Sequence, residues 1–432
     1  MAIVTKFGGV VLDSAINIKK AISEVLSFSE NIIVVVSASK GVTNWLETIA
    51  NLSLTDIIKA NNKISELLNY QIDIAQELNI FDECEFEFNE YIAKIKDISK
   101  GLSIVKELSN RTLDLIVHYG EKFSSIIFTN LIKKISDKSN VYISALDFII
   151  TDDNFRYAAP NLLLTKERVD NILIPLTKKY QIIITEGYIS RGANGQVTTM
   201  GRESSDFTAT LIAELCKSRE VRIYTNVPGV FTADPNMVEG AKKIESLTYN
   251  TAQILAELGA KVIHPRTVAP IIRANIPLTI TSIGYVGSLI TLNKETNARV
   301  IPLITEATLI EFELFTAREN VSETFESIYK KVPVLWSNRF RKRLQIATSL
   351  PLENFELENN SLKIINIIQG SILSVVASNM LSNKEISIIF SELEDIEIYS
   401  YFVSPNNKSL SIFINSLNAS NLCVKIHNRF NS

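Results

Sequence analysis

The chain has 432 residues, of which 46% are hydrophobic and 21% are charged. This composition is that of an ordinary globular protein large enough for two or three domains. Its 44 basic and 47 acidic residues are mixed along the sequence and give a net charge of −3, so no basic stripe predicts binding to nucleic acid or to an anionic membrane. A small molecule is the expected partner.

The cysteines and the N-terminus indicate where the protein works. The three cysteines are far apart and have no CxxC spacing, which argues against a disulfide framework and fits a reducing cytosol. The N-terminal "MAIVTKFGG" leads straight into a strand pattern, and no apolar run reaches about 18 residues. We therefore expect a cytoplasmic protein without an export signal or a membrane span.

Short apolar runs alternate with helical patterns up to about residue 295. The runs "AIVTKF" and "NIIVVVSAS" flank an amphipathic helix pattern at 13–26, which predicts a βαβ unit. Four further strand candidates follow: "NVYISA", "QIIITEG", "EVRIYTN" and "IPLTITSI". The pattern predicts an αβα sandwich with a mostly parallel sheet.

Two other stretches have a different character. Residues 53–101 are polar, helical in pattern and poor in strand signals, so we expect a helical insertion. After residue 299, seven strand-like runs with shorter helices between them predict a separate α+β domain, with two copies of a βαββαβ module. We place the domains at 1–295 and 300–432.

Four loops that follow predicted strands could carry chemistry, because open α/β sheets bind ligands at the carboxyl ends of their strands. In "KFGG", Lys6 precedes Gly8 and Gly9, which suits either a phosphate loop or a plain turn. In "VVVSASKGVTN", Ser37 and Thr43 could bind anionic oxygens or simply form turns. The residues alone leave both alternatives open.

The third loop is "VHYGEKFSS" and the fourth is "TTMGRESSDFTATLIAEL". Glu121 of the third loop could bind a ligand or only complement a helix dipole, and His118 beside it is expected to be a packing or surface residue. In the fourth, Ser205 and Asp206 can cap a helix whose free amides form an anion site, and Arg202 could clamp a carboxylate. A capped helix with a solvated arginine is the alternative.

Taken together and in order, these loops resemble one family, the aspartate kinases of the amino-acid kinase fold. The resemblance rests on "TKFGG", "VVVSASKGVTN", "HYGEKFS", "ITEGYI…TTMGRESSD", "YTNVPGVFTADPN" and "LGAKVIHPRT". It implies phosphoryl transfer from Mg·ATP to the β-carboxylate of L-aspartate, the first step towards lysine, threonine and methionine. The region 300–432 resembles the family's paired ACT regulatory modules in strand and helix pattern only.

The resemblance also implies residue roles. Lys6 and Asp206 would be catalytic, with Asp206 organising the metal and phosphate region. The aspartate pocket would be lined by Thr43, Glu121, Tyr188, Arg202 and Ser205, with Arg202 on the α-carboxylate and Glu121 on the α-ammonium. The nucleotide would contact Lys6, Gly8, Gly9, Ser37, Thr225, Asn226, Phe231, Asp234 and Lys261. Mg²⁺ would arrive with ATP, and no direct protein ligand is expected apart from Asp206.

Several residues depart from the family pattern on the nucleotide side. They are Val10, Val11, Glu203, Asn226 and Asn236, where the family usually has two hydroxyl residues, a glycine, an aspartate and an arginine. Glu203 adds negative charge and replaces glycine, the residue that adopts a backbone with φ > 0 most easily. Two alternatives therefore stay open: a catalytically weakened binding or regulatory subunit, and a kinase with a shifted substrate in a specialised pathway.

The C-terminal region departs as well. Leu335 of "VPVLWSN" stands where lysine-sensitive family members have an aspartate, and "RENVSETFE" lacks the glycine that effector loops often use. Feedback by lysine or threonine is therefore not expected. The predicted role of this region is homodimer or higher homo-oligomer formation through its sheet edges.

Overall fold

The computed structural model describes residues 2–201, 203–260, 263–293, 297–314, 328, 334–340, 342–349 and 362–431. The chain divides into two compact units. Unit 1 comprises Met1–Gly229 and Arg266–Leu289, and unit 2 comprises Val230–Pro265 and Ile290–Ser432. The predicted domain boundary near residue 295 stays a prediction.

Unit 1 is built on a parallel sheet. Its strands in chain order are β1 (Ile3–Phe7), β2 (Ile32–Val36), β3 (Asn140–Tyr142), β5 (Ile182–Glu186), β8 (Val221–Tyr224) and β10 (Leu278–Thr281). They lie side by side in the order β3-β5-β2-β1-β8-β10, and each pairs its neighbour in parallel. Each of β1, β2 and β5 is buried along its whole length, as expected for strands covered on both faces.

A smaller sheet and the helices complete unit 1. The small sheet has the order β4-β6-β7. Its strands are β4 (Ile150–Thr151), β6 (Ile189–Gly192) and β7 (Val197–Thr199). The helices are α1 (Ala15–Ser27), α2 (Val42–Thr55), α3 (Ile57–Glu77), α4 (Phe81–Val105), α5 (Asn110–Val117), α6 (Tyr119–Ile135), α7 (Leu162–Arg168), α8 (Ile174–Lys179), α9 (Ser204–Cys216) and α11 (Pro265–Ala274), the last beginning at the boundary.

Local sequence explains several helix boundaries. Ser14, Asp56 and Ser109 cap α1, α3 and α5, because each side-chain oxygen accepts a backbone N–H of the first helical turn. α3 and α4 lie in the stretch where the sequence predicts helices, and they bury a stripe of residues at helical spacing, among them Ile64 and Leu67 of α3. No helix among the described residues is long and apolar enough to cross a membrane.

Unit 2 contains an antiparallel sheet with the strand order β14-β15-β13-β16-β18-β17, with β12 (Arg299–Val300) also pairing β16. The six strands are β13 (Leu303–Leu314), β14 (Val334–Phe340), β15 (Arg343–Thr348), β16 (Leu362–Ala377), β17 (Ile398–Val403) and β18 (Ser409–Ile414). The other elements are β9 (Ser246–Thr248), α10 (Tyr249–Glu257), α12 (Asn383–Ser391) and α13 (Ser416–Asn431), and β11 (Ser288–Thr291) spans the junction of the two units.

The order of this sheet has an internal repeat. β13, β15 and β14 lie in the same relative order as β16, β18 and β17, and β13 pairs β16 at the centre. The second set includes α12 between its first two strands, whereas the corresponding stretch after β13 lies outside the described residues apart from Ile328. The predicted fold class, α/β with a mostly parallel sheet plus an α+β region, is confirmed.

Candidate active site

The first two loops of unit 1 are linked at the carboxyl ends of β1 and β2. Because all the strands of this sheet run in parallel, the residues that follow them lie at one edge. The Ser37 N–H donates to the carbonyl of Phe7 over 3.2 Å, and the Lys40 N–H donates to Gly9 over 2.9 Å. A β-carbon on Gly9 would lie 2.6 Å from the Ala38 carbonyl oxygen. Glycine at position 9 is therefore what allows the two loops to touch.

Lys6 and Asp206 form an ion pair at this edge. The Lys6 side chain lies at the end of β1 and is 11% exposed, and its Nζ is 2.5 Å from Oδ1 of Asp206 in the first turn of α9. An ammonium group beside the amino end of a helix makes this position attractive to an anion. The structure thus brings together the two predicted catalytic residues.

Glu121 is buried rather than solvated at the start of α6. Glu121 is only 2% exposed. Its Oε1 accepts the Ala38 N–H over 3.2 Å, and its Oε2 has no hydrogen-bond partner among the described residues. Burial raises the pKa of this carboxyl group to about 8, partly opposed by hydrogen bonds from Ala38 and its own backbone. A buried oxygen without a partner is costly in a folded protein, so Glu121 is poised to accept a hydrogen bond from a ligand.

Gly120 explains how Glu121 reaches this position. A β-carbon on Gly120 would lie 2.9 Å from Cβ of Ala38. The glycine therefore lets the first turn of α6 press against the loop after β2. The neighbouring His118 is buried and packs on Tyr119, and its Nδ1 lies 2.7 Å from the Leu115 carbonyl. Burial lowers the pKa of His118 to about 3, so it is a neutral packing residue, one of the two expectations.

Tyr188 and Ser205 meet the site from β5 and α9. A β-carbon on Gly187 would lie 2.5 Å from Cβ of Ser205, so the glycine allows β5 to end directly against α9. Tyr188 has φ 67 and donates its N–H to the Thr208 hydroxyl over 3.1 Å. Both Tyr188 and Ser205 are buried, and burial raises the pKa of the Tyr188 phenol.

A buried carboxylate that sequence reasoning missed supports this part of the site. Asp114 is fully buried and accepts the Thr199 N–H, the Thr199 hydroxyl and the Arg156 N–H over 2.7 to 2.9 Å. The Arg156 guanidinium pairs with Glu47 and lies 3.4 Å from the Tyr188 hydroxyl. Neither Asp114 nor Arg156 stands in a glycine-rich or hydroxyl-rich loop, so no local signal could have identified them.

Glu203, which replaces the family's glycine, has a left-handed backbone conformation. It has φ 63 and ψ 9, the left-handed region, immediately before α9, and its side chain is exposed. Its neighbour Ser204 is buried, and the Ser204 hydroxyl has no partner among the described residues. The glutamate charge therefore lies in solvent, where water screens it.

Other predicted site residues lie on loops and helix starts that follow β1, β2 and β8. Thr43 lies in the first turn of α2 and is half-buried. Thr225 follows β8, donates its N–H to Thr281 over 2.8 Å and its hydroxyl to Asn226 over 3.2 Å. Gly8 donates its N–H to Tyr224 over 3.0 Å, which ties the loop after β1 to the end of β8.

Four of the predicted residues lie outside unit 1 or outside the described residues. Phe231 and Asp234 belong to unit 2, where Phe231 bridges Lys243 and Asp234 accepts the Asn236 backbone N–H over 3.0 Å. Arg202 and Lys261 are outside the described residues, so their predicted roles stay predictions. Within the described part of the chain, no three His, Cys, Asp or Glu side chains gather as a metal site.

Comparisons with known proteins show which family the chain belongs to. The model of the amino acid kinase family matches residues 1–282. The aspartokinase of Chlamydia trachomatis is 33% identical over 290 residues, covering 65% of this chain and 61% of that protein's length. The lysine-sensitive aspartokinase 3 of Escherichia coli is 26% identical over 449 residues, covering 98% of both chains.

A solved structure matches the fold over nearly the whole chain. It is E. coli aspartokinase III in complex with aspartate and ADP, with a TM-score of 0.90 at 23% identity over 99% of both chains. The resemblance to aspartate kinases that the motifs predict is confirmed, and the chain belongs to the amino acid kinase family.

Proposed function

We propose that the protein is an aspartate kinase, which transfers the γ-phosphoryl group of Mg·ATP to the β-carboxylate of L-aspartate and forms 4-phospho-L-aspartate. Membership of the amino acid kinase family supports a phosphotransferase that uses ATP. The matches to aspartokinases, one of them along almost the whole chain, support the acceptor.

One observation carries the choice of an amino-acid acceptor. The buried Oε2 of Glu121 lacks a partner among the described residues, and an α-ammonium group would supply both a hydrogen bond and the opposite charge. Lys6 is a candidate for the other side of the site, where its ammonium can meet phosphate oxygens. The site thus offers a carboxyl group that ionises beside the substrate's ammonium and a positive group for the transferred phosphate.

The reaction needs alignment and charge neutralisation more than acid–base chemistry. A carboxylate is already an anion at neutral pH, so no general base is required. One β-carboxylate oxygen forms a bond to the γ-phosphorus as the bond from that phosphorus to the bridging oxygen breaks, and ADP leaves. Lys6 and the free amides at the start of α9 are placed to stabilise the charge that builds up on the transferred group.

Mg²⁺ fits the donor set when it is bound mainly by the phosphates. Asp206 is the carboxylate beside Lys6, and Mg²⁺ commonly uses one or two carboxylates together with substrate phosphates and water. Bound with ATP, the ion would neutralise phosphate charge. Asp206 would orient it while holding the Lys6 ammonium in place.

The remaining residue roles are part of the same proposal. Arg202 binds the α-carboxylate of aspartate, and Thr43, Tyr188 and Ser205 line its pocket. The nucleotide is contacted by Gly8, Gly9, Ser37, Thr225, Asn226, Phe231, Asp234 and Lys261. We also propose a cytoplasmic homo-oligomer formed through the sheet of unit 2.

The exposed side chain of Glu203 favours an active kinase over a weakened binding subunit. A glutamate pointing into the phosphate site would repel ATP, whereas an exposed one is screened by water. Calorimetric titration with Mg·ATP separates the two functions. Binding at micromolar to millimolar affinity supports the kinase, and undetectable binding supports the weakened subunit.

Trapping the acyl phosphate tests the proposed activity directly. The protein is incubated with L-aspartate, Mg·ATP and hydroxylamine, and hydroxamate is measured against reactions that contain L-glutamate or no amino acid. We expect aspartyl hydroxamate, and a Glu121→Gln variant with a KM for aspartate raised at least ~10-fold and an unchanged KM for ATP. Glu107→Gln, at an exposed position just after α4, is the matched control. Absence of aspartate-dependent hydroxamate would refute the proposal.

A further inference from the structure

A buried ion pair lies next in the chain to Glu121, the proposed partner of the substrate's ammonium group. Glu186, the last residue of β5, is fully buried, and its Oε1 is 2.7 Å from Nζ of Lys122, whose side chain is 12% exposed. Replacing a buried ion pair by apolar residues is often neutral or stabilising. Stability alone therefore does not account for the pair.

Both members of the ion pair are also hydrogen-bonded to neighbouring groups. The Ala145 N–H donates to Oε2 of Glu186 over 2.8 Å, and the Tyr142 hydroxyl donates to Oε1. Nζ of Lys122 also donates to the Tyr142 and Ser144 hydroxyls over 2.8 Å each. Such a satisfied network fixes both charges in position.

Chain geometry places this network beside Glu121. Lys122 is the residue after Glu121 in the first turn of α6. β5 is the sheet neighbour of β2, with Glu186 in register with Val36, and Glu121 accepts the N–H of Ala38, two residues further on. Glu121, at the start of α6, and Glu186, at the end of β5, are thus two buried carboxyl groups near the carboxyl ends of the adjacent strands β2 and β5.

Charged and titratable groups face this pair of carboxyl groups from several elements. Lys6 of β1 and Tyr188 after β5 interact with Glu121, as does Glu186 itself. Tyr91 of α4 faces Glu186. Burial is the main reason why the pKa of Glu121 is raised; beyond it, the negative charge of Glu186 raises that pKa further and the positive charge of Lys6 lowers it. Neighbouring charges therefore adjust how easily Glu121 ionises.

We propose that Glu186 and Lys122 are positioning residues that set the charge of Glu121, and through it the affinity of the site for the ammonium group of the amino acid. Glu186 opposes a second buried negative charge, and the Lys122 ammonium, 2.7 Å from Glu186, counteracts that effect. This inference rests on the proposed function, because it takes Glu121 as the ammonium partner.

Substitutions of the two residues should shift the pKa of Glu121 in opposite directions. Glu186→Gln removes a negative charge and leaves Lys122 positive, so Glu121 ionises more easily. Lys122→Met leaves Glu186 without its cation, so Glu121 ionises less easily. A merely structural role would damage the site in the same direction in both variants.

The test is the pH dependence of kcat/KM for aspartate between pH 5.5 and 9.5, with kcat recorded separately. The acid limb of this profile is the fall of kcat/KM as the pH is lowered. We expect Glu186→Gln to move it to lower pH by about one unit and Lys122→Met to move it to higher pH, with the double variant between them. We expect kcat to change less than ~3-fold, because neither residue touches the transferred group. Lys133→Met, at an exposed position on the same helix, should leave the limb unmoved.

Glu186→Gln alone decides the outcome if Lys122→Met does not fold. A downward shift supports the inference, and an upward shift or none overturns it. The carboxyl titration of Glu121, followed by NMR of protein labelled with ¹³C-glutamate and assigned with Glu121→Gln, gives the same answer without turnover. If the wild-type protein makes no acyl phosphate, the proposed function fails while this titration still tests the charge coupling.

Discussion

Gly187 and Ser205 touch so closely that a β-carbon on the glycine would lie 2.5 Å from the serine Cβ and 2.8 Å from its Cα. Such contacts do not occur between real atoms, so β5 and α9 can approach in this way only because position 187 has no side chain. The approach brings Tyr188 and Ser205 to the same site.

We expect Gly187→Ala to destabilise the protein by ~1–3 kcal/mol and to raise the KM for aspartate, because α9 must move away from β5. Urea unfolding and steady-state kinetics measure the two effects. Gly101→Ala is the control, because a β-carbon there meets nothing within 4 Å and alanine favours the helix by ~1 kcal/mol. Equal stability of the two variants would contradict the packing argument.

Lys6→Met should lower kcat by ~10²–10³-fold, since the ammonium stabilises charge on the transferred phosphoryl group. Lys6→Arg should recover little activity, because the lysine side chain lies between Asp206 and the glycine loop with little free space. Rapid-quench measurement of the chemical step with saturating substrates checks both values. Lys20→Met, an exposed lysine on α1, should retain full activity, and a Lys6→Met enzyme that does so would rule out the assigned role.

Aspartate binding should depend on pH through Glu121. Its pKa of about 8 means that the free protein holds this carboxyl group mostly protonated at neutral pH. An incoming ammonium favours the ionised form, so binding releases a proton, and KM for aspartate falls as pH rises towards 8, by up to ~10-fold per unit well below the pKa.

Calorimetric titration in buffers of different ionisation enthalpy measures that proton release. We expect close to one proton released per aspartate bound at pH 7 and much less at pH 9. The Glu121→Gln variant should release none at either pH. Proton uptake by the wild-type protein, or no difference between buffers, would show that Glu121 does not ionise on binding.

Substitutions at Glu203 should separate backbone strain from charge. Its φ of 63 lies in the left-handed region, which costs a residue with a β-carbon roughly 1 kcal/mol relative to glycine. Glu203→Gly should therefore be more stable than Glu203→Ala by about that amount in thermal or urea unfolding. Because the side chain is exposed, both variants should keep the KM for ATP within ~3-fold. A large and equal fall in that KM would instead mean that the charge repels the phosphates.

The sequence alone was sufficient to predict the elements that have a recognisable pattern of their own residues. The buried runs of β1, β2 and β5 are continuous apolar segments, and the structure places all three in the parallel sheet. Lys6 and Asp206 could be singled out together only because their motifs recur in one family. The ion pair between them depends on the order of the sheet, which periodicity does not specify.

The supporting groups could not be predicted for a different reason. Asp114, Arg156 and Glu186 act through contacts with residues distant in sequence, and each looks locally like a solvated charge or a strand end. Glu121 shows the same limit, because a glutamate in a first helical turn normally faces solvent. Its burial depends on Gly120 and Ala38, whose close approach exists only in the folded chain.

The division of the chain into units has a consequence for its synthesis. The strand β10, which pairs β8 in register from Leu278 with Val221, belongs to unit 1 although Val230–Pro265 belongs to unit 2. When the chain has emerged from the ribosome only as far as residue 229, β8 therefore still lacks its neighbour β10. Since domains form as the chain emerges from the N-terminus, unit 1 cannot be completed until part of unit 2 has also been made. Expression of 1–229 alone would leave the β8 edge exposed to aggregation.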